Sequence, residues 1–176
     1  MAIYRYQDKL ESQRLITRFL TVSDIILWSG FFADQEAVEF FPDFGLSSPI
    51  ERAKHMIDKQ LQRYAQNRFG HQALIDKETH AFIGVCGLLT QEVDGITELE
   101  VGYHIFKTYW GKGYAPEAAK LFIDYAFRNN ISNSVISVID TGNTKSQRVA
   151  EKNGLILEKQ TKYTDNEDVY IYRINK

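Results

Sequence analysis

Two stretches of this sequence bring together residue types that can do chemistry. The first, Tyr109-Trp110-Gly111-Lys112-Gly113-Tyr114-Ala115-Pro116-Glu117-Ala118, is a glycine-bearing turn that runs straight into a helical pattern. Glycines let the backbone approach a ligand, first-turn N–H groups have no intrahelical partner, and the helix dipole favours negative charge at that end. The turn therefore has the form of an anion site that fits a pyrophosphate. It lacks the G-x-x-x-x-G-K-S/T spacing of a P-loop and the third glycine of a dinucleotide fingerprint, which disfavours ATP and NAD. The plain alternative is a tight strand-to-helix connection, which two glycines also make. The second stretch holds Glu98, Glu100, Gly102 and His104. At a period of two these share one strand face, unless a bulge intervenes, and set a carboxylate and an imidazole side by side. Either can accept a proton. A salt-bridged or solvated carboxylate and a hydrogen-bonded structural histidine are the plain readings.

Strands and helices must position these groups. Leu15 to Leu20 alternates as a strand, and Thr21-Val-Ser-Asp24 offers N-cap candidates for a helix through Ile25, Leu27 and Trp28. Asp34 to Phe40 reads as another short helical piece. Ser48-Pro49-Ile50-Glu51 is a capping box that opens a helix with Ile50, Ala53, Ile57, Leu61 and Tyr64 on its apolar side, running to about Gln66. Gln72 to Asp76 and Ala81 to Leu89 form a hairpin across Lys77-Glu78-Thr79-His80, and a turn at Asp94-Gly95 leads into a strand from Thr97 to Phe106. Pro116 to about Asn129 is helical, Val135 to Ile139 a strand, and Thr144 to Asn153 a helix ended by Gly154. Leu155 to Lys162 and Asp168 to Ile174 close as a hairpin. The fold class is α+β, with a mixed, mostly antiparallel sheet of about six to seven strands and one β-α-β crossover from Thr97 to Ile139 that carries the glycine turn.

Composition narrows the setting. The 176 residues suit one domain spanning 1–176, and 21 basic against 23 acidic residues give a net charge of −2, which argues against nucleic acid or a membrane surface as partner. Cys86, the single cysteine, sits in an apolar run and reads as a buried structural thiol, and no paired Cys/His spacing suggests a metal. The charged N-terminus and the absence of a spanning apolar run point to the cytoplasm. No heptad run or large apolar surface stripe is visible, so the residues leave the oligomeric state open.

Glu100-Val-Gly-Tyr-His-Ile followed by Tyr-Trp-Gly-Lys-Gly-Tyr-Ala-Pro-Glu-Ala resembles the acetyl-CoA motif of the GNAT acetyltransferases. Leu10 to Asp24 resembles the opening of the ribosomal-protein N-terminal acetyltransferase branch, and Asn143-Thr-Lys-Ser-Gln-Arg-Val-Ala-Glu-Lys-Asn-Gly154 resembles its late helix. The resemblance implies that Gly111, Lys112, Gly113, Tyr114 and Ala115 hold the CoA pyrophosphate and that the pantetheine and the acetyl carbonyl lie along Val101, Gly102 and Tyr103. Trp110 stands where the family usually has Gln or Arg. Asn143 and Ser146 match the branch pattern N-x-x-S, with the asparagine on the pantetheine and the serine near the sulfur. Local roles as N-cap and first-turn residue remain open for both.

The resemblance implies direct transfer from acetyl-CoA to an amine, and a homodimer. Such an amine has a pKa of about 8 to 10.4, so a base is needed, and Glu100 is the candidate. Backbone N–H near Val101 or Gly102 would stabilise the oxyanion. Relatives often place a tyrosine acid on the late helix where this chain has Ala150, which leaves Ser146, water or the ligand to protonate the thiolate. His55, His71 and His80 fit no pattern, and Arg14 and Arg18 read as surface or strand-edge charges. The acceptor is a protein N-terminal amine or a small-molecule amine such as a polyamine or antibiotic. The acid-rich run with Asp34, Glu36, Glu39 and Asp43 leans toward a cationic one, though a solvated helix face explains it equally. A non-catalytic CoA-binding module and a purely structural protein are the rival classes.

Overall fold

In the computed structural model, residues 5–164 and 167–176 are described. Turn chemistry and apolar alternation yield the strands β1 (Leu15–Arg18), β2 (His71–Asp76), β3 (Phe82–Val93), β4 (Ile96–Ile105), β5 (Ser134–Asp140), β6 (Ile156–Lys162) and β7 (Asp168–Asn175). The helices are α1 (Ile25–Ala33), α2 (Pro49–Ala65), α3 (Tyr114–Arg128) and α4 (Thr144–Lys152). All seven strands join one sheet in the order β1-β2-β3-β4-β5-β7-β6. Every neighbouring pair is antiparallel except β4 and β5, which run parallel because α3 crosses over between them.

The helices split between the two faces. Alternate residues of β2 and β3 point opposite ways, so Ala73 and Val85 join Trp28, Phe31, Phe32, Ala53 and Ile57 under α1 and α2, while Leu74 and Cys86 join Ala118, Phe122 and Ala126 under α3. The stripe that α2 buries is Ala53, Met56, Ile57 and Gln60, whereas Ile50 is exposed. Ser48 Oγ accepts the Glu51 N–H at 3.5 Å, one arm of the expected capping box. Among the described residues, no helix is long and apolar enough to cross a membrane.

Two expectations need correction. Residues 35–40 form turns rather than a helix. Asp34 Oδ1 accepts the N–H groups of Glu36 and Ala37, so the side chain offers the backbone a turn in place of helical bonding. The α3 helix begins at Tyr114, ahead of Pro116, because Gly113 takes the left-handed conformation (φ 79°) as its N-cap.

Two features of the sheet shape the site. The β3–β4 register is unbroken from Gly84↔Ile105 to Val93↔Ile96, so Glu98, Glu100, Gly102 and His104 keep the shared face that period two demands. The β4–β5 ladder consists of one couple, Glu100↔Ile136. Beyond it the two strands part.

Candidate active site

The parting of β4 and β5 opens a cleft of about 700 Å³, and the glycine turn sits at its mouth. Gly111 (φ 73°) and Gly113 (φ 79°) are both left-handed, a conformation that side chains resist, and this curls the 111–115 backbone in front of the first turn of α3. A Cβ at Gly111 would meet nothing within 4 Å, so the space the turn encloses is open.

Side chains brace the turn. Arg14 Nε pairs with Glu117 Oε2 at 2.7 Å, its backbone N–H donates to Glu117 Oε1 at 2.7 Å, and its NH1 donates to the Lys112 carbonyl at 2.9 Å. Burial alone would push the Glu117 carboxyl up, but hydrogen bonds from Ser12 and Arg14 outweigh it and hold the pKa below the ordinary value. A first-turn carboxylate is thereby neutralised by Arg14 and kept from competing with a bound anion. The Tyr114 hydroxyl donates to Asp76 Oδ2 at 2.8 Å, and the Arg14 guanidinium lies 4.2 Å from the Tyr114 ring centre. Trp110 Nε1 donates to the Ile105 carbonyl at 2.8 Å, while Lys145 Nζ sits 4.2 Å over its indole. Arg14, read from the sequence as a surface charge, is a buttress of this loop.

The inner cleft is polar on its strand side. Glu100 is buried; its Oε2 accepts from Gln91 Nε2 at 2.7 Å and its Oε1 from the Val138 N–H at 3.4 Å. Burial raises its pKa, and these hydrogen bonds only partly offset that. Ser137 Oγ donates to the Val101 carbonyl at 3.1 Å. The Tyr103 hydroxyl, its pKa raised by burial, donates to the Ser146 carbonyl at 3.0 Å and ties β4 to α4. Asn143, which lines the cleft, caps α4 through Oδ1, which accepts the Ser146 N–H at 3.1 Å. Ala150 is buried against the core, so no polar group occupies that point of α4.

Of the residues singled out from the sequence, Glu100, Val101, Gly102, Tyr103, Trp110, Gly111, Gly113, Tyr114, Ala115, Asn143 and Ser146 all line this cleft. Lys112 differs. Its carbonyl receives Arg14, and its ammonium stands 5.5 Å from the Tyr109 ring centre.

Sequence reasoning set His104 on the Glu100 face but missed that His71, Gln60 and Arg63 stand with it. His104 packs against Phe41 and Phe31, with ring centres 4.7 and 5.8 Å away, and lies 5.3 Å from the ring of His71. Burial pushes His104 down to about 4 and lowers His71 well below the ordinary value, so both imidazoles are neutral. Gln60, Arg63 and Phe44 line the cleft beside them. Cys86 is fully buried, and burial pushes its thiol up, which suits the structural role expected of it.

A match to the acetyltransferase (GNAT) domain family spans residues 14–156. An uncharacterised protein of Bacillus subtilis, YkkB, is 42% identical over 80 residues, which are 46% of this chain and about half (46%) of that protein. The uncharacterised N-acetyltransferase p20 of Bacillus licheniformis is 29% identical over 181 residues, covering 96% of this chain and 97% of its own length. Among solved structures, the ribosomal L7/L12 α-N-protein acetyltransferase RimL, in complex with coenzyme A, superposes with a TM-score of 0.75 at 17% identity, covering 93% of this chain and 95% of its own.

Proposed function

Since the chain belongs to the GNAT acetyltransferase family, we propose that it carries the acetyl group of acetyl-CoA directly to a primary amine in a ternary complex. It acts as a single domain over residues 1–176, in the cytoplasm. One observation carries this reading: β4 and β5 part directly in front of a left-handed glycine turn at a helix N-terminus. That arrangement joins an anion site to a slot with an unpaired strand edge.

The residues present fit acetyl-CoA. Gly111, Gly113, Tyr114 and Ala115 present main-chain N–H groups to its pyrophosphate, and the Lys112 backbone belongs to the same curl. Past Glu100↔Ile136 the β4 edge has no β5 partner, and there Gly102 and Tyr103 meet the pantetheine amides beside Val101, whose carbonyl is held by Ser137. Asn143 Nδ2 donates to the same chain, and Ser146 stands beside the thioester sulfur. Acetyl-CoA supplies an acyl group already activated as a thioester. The protein aligns the amine, stabilises the oxyanion through a strand N–H and moves one proton. Glu100 takes that proton, and its burial raises its affinity for it.

The acceptor is a protein N-terminal amine or a small-molecule amine, and one expectation about it weakens. Glu36 is held by both Lys107 (2.6 Å) and Lys145 (2.7 Å), while Asp34 and Asp43 accept from nearby loop N–H groups. Three of the four acidic groups that leaned toward a cationic acceptor are thus engaged elsewhere.

Titration with acetyl-CoA in a calorimeter tests the proposal. Micromolar binding that vanishes in Gly113→Glu, which strains the backbone and repels phosphate, supports it. Absence of heat with the unaltered protein overturns it.

A further inference from the structure

His71 is the feature that the proposed function does not yet use. It opens β2, and its register partner Gly87 is in turn the partner of Gly102, so the three residues form one row across β2, β3 and β4. With no side chain at either glycine, the imidazole lies along the row, and a Cβ built on Gly102 would stand 3.1 Å from its Nε2. That spot adjoins Glu100, where β4 leaves β5.

The backbone of His71 is firmly held, its N–H donating to Gln60 Oε1 at 2.8 Å and its carbonyl accepting from the Tyr64 hydroxyl. The ring is not. His71 is 7% exposed, lines the cleft, and neither Nδ1 nor Nε2 has a hydrogen-bond partner in the protein. A buried imidazole without partners costs stability, and a fold concerned only with stability would put an apolar side chain here. Glu100 differs, because both of its carboxylate oxygens already accept hydrogen bonds.

The surroundings describe what this ring can meet. Gln60 and Arg63 face it from α2, and Glu100 and His104 from β4. Arg63 is a cation that repels a polycation, while Phe31, Phe41 and Phe44 supply an aromatic wall. We infer that the acceptor is a primary amine carried on an aromatic or apolar group, and that His71 Nε2 accepts a hydrogen bond from one of its two N–H bonds. The inference rests on the acetyltransferase reading above. The nitrogen lone pair then points at the thioester carbon and forms the C–N bond. The C–S bond breaks with its electron pair on the CoA sulfur. The second N–H proton passes to Glu100 and from there to the thiolate, so a neutral amine and a thioester give an amide and a thiol with no further reactant. The N–H held by His71 remains in the product amide.

The test uses His71→Leu, which keeps volume but removes both nitrogens, and His71→Gln, which restores a polar group. Acceptors are 2-phenylethylamine, phenylalaninamide and spermidine, with acetyl-CoA affinity measured in parallel by calorimetry. The unaltered enzyme should acetylate the two aromatic amines at least about 10-fold more efficiently than spermidine. His71→Leu should cut kcat/KM for them by about 10- to 100-fold, the range of one lost polar contact to substrate. Its acetyl-CoA affinity should stay within about twofold, its melting temperature should be equal or higher, and His71→Gln should recover part of the rate. A structural histidine behaves oppositely: melting temperature falls and activity follows the folded fraction. That result, an unchanged kcat/KM in His71→Leu, or a preference for spermidine overturns the inference. So does failure to acetylate either aromatic amine in a protein that binds acetyl-CoA. Failure to bind acetyl-CoA at all overturns the acetyltransferase reading itself, and this inference with it.

Discussion

Glu100 has the clearest signature in solution. Its folded pKa is raised, and its basic form is the carboxylate, so activity should fade as pH drops through a value above the ordinary glutamate range of about 4.3. Replacement by glutamine should lower kcat by about 100-fold and remove that acid limb, as read from kcat against pH with saturating acetyl-CoA. An unchanged limb in Glu100→Gln would assign it to another group. The residue itself was legible, because period two puts Glu100, Gly102 and His104 on one face and the register keeps them there. What the two Glu100 oxygens accept was not legible, since Val138 reaches it only through the crossover. His71 was invisible for a stronger reason. Its place beside Gly102 requires the registers of two separate hairpins, and no local pattern encodes both.

Elements rather than single residues hold the glycine turn in shape. Arg14 precedes β1 and Glu117 belongs to α3, about a hundred positions later, yet together they fix the turn's carbonyl at Lys112. Arg14→Ala should therefore weaken acetyl-CoA binding by about 10-fold, in line with the loss of one or two charge-assisted hydrogen bonds that preorganise the loop. Calorimetry would show it, and an unaltered affinity would mean that the glycines alone suffice. The hairpins make a second demand. A methyl on Gly87 would stand 2.2 Å from the Gly70 carbonyl oxygen, which is backbone and cannot swing aside. Gly87→Ala should cost about 2 kcal/mol by overpacking, or about 4–8 °C in melting temperature for a chain of this length. Hairpins and the crossover were readable from turn residues and apolar runs. The stretch after α1 was not, because Asp34 serves a helix cap and a turn equally well, and only the tertiary setting chooses.

At the scale of the whole molecule, the two neutral imidazoles tie stability to pH. In the unfolded chain a histidine takes up a proton near pH 6.5, whereas His104 folded does so at about 4 and His71 well below its ordinary value. The unfolded state therefore binds more protons in that interval, and stability falls as pH drops from about 6.5 toward 4, by up to about 1.4 kcal/mol per pH unit for each imidazole. The raised carboxyl of Glu100 acts in the other direction and softens the slope. Urea midpoints measured between pH 7 and 4.5 should decline accordingly, and His104→Phe should flatten the decline; a pH-independent midpoint would contradict both assignments. The fold class, the hairpins and the one crossover were legible in the chain, whereas the strand order was not, because β7 rather than β6 lies beside β5 and β1 meets β2 across α1 and α2.

The single couple Glu100↔Ile136 has a further consequence. On one side of it β1 to β4 form a continuous ladder, and on the other β5, β7 and β6 form a second. In its backbone ladder the sheet is thus two rafts moored at one couple, with side-chain ties from Ser137 to Val101 and from Arg173 to Glu98 beside it, and whatever fills the slot becomes the missing rungs between them. In hydrogen exchange the β5–β7–β6 raft should open as its own cooperative unit while the slot is empty, and merge with its neighbour into one slower unit once the slot is filled.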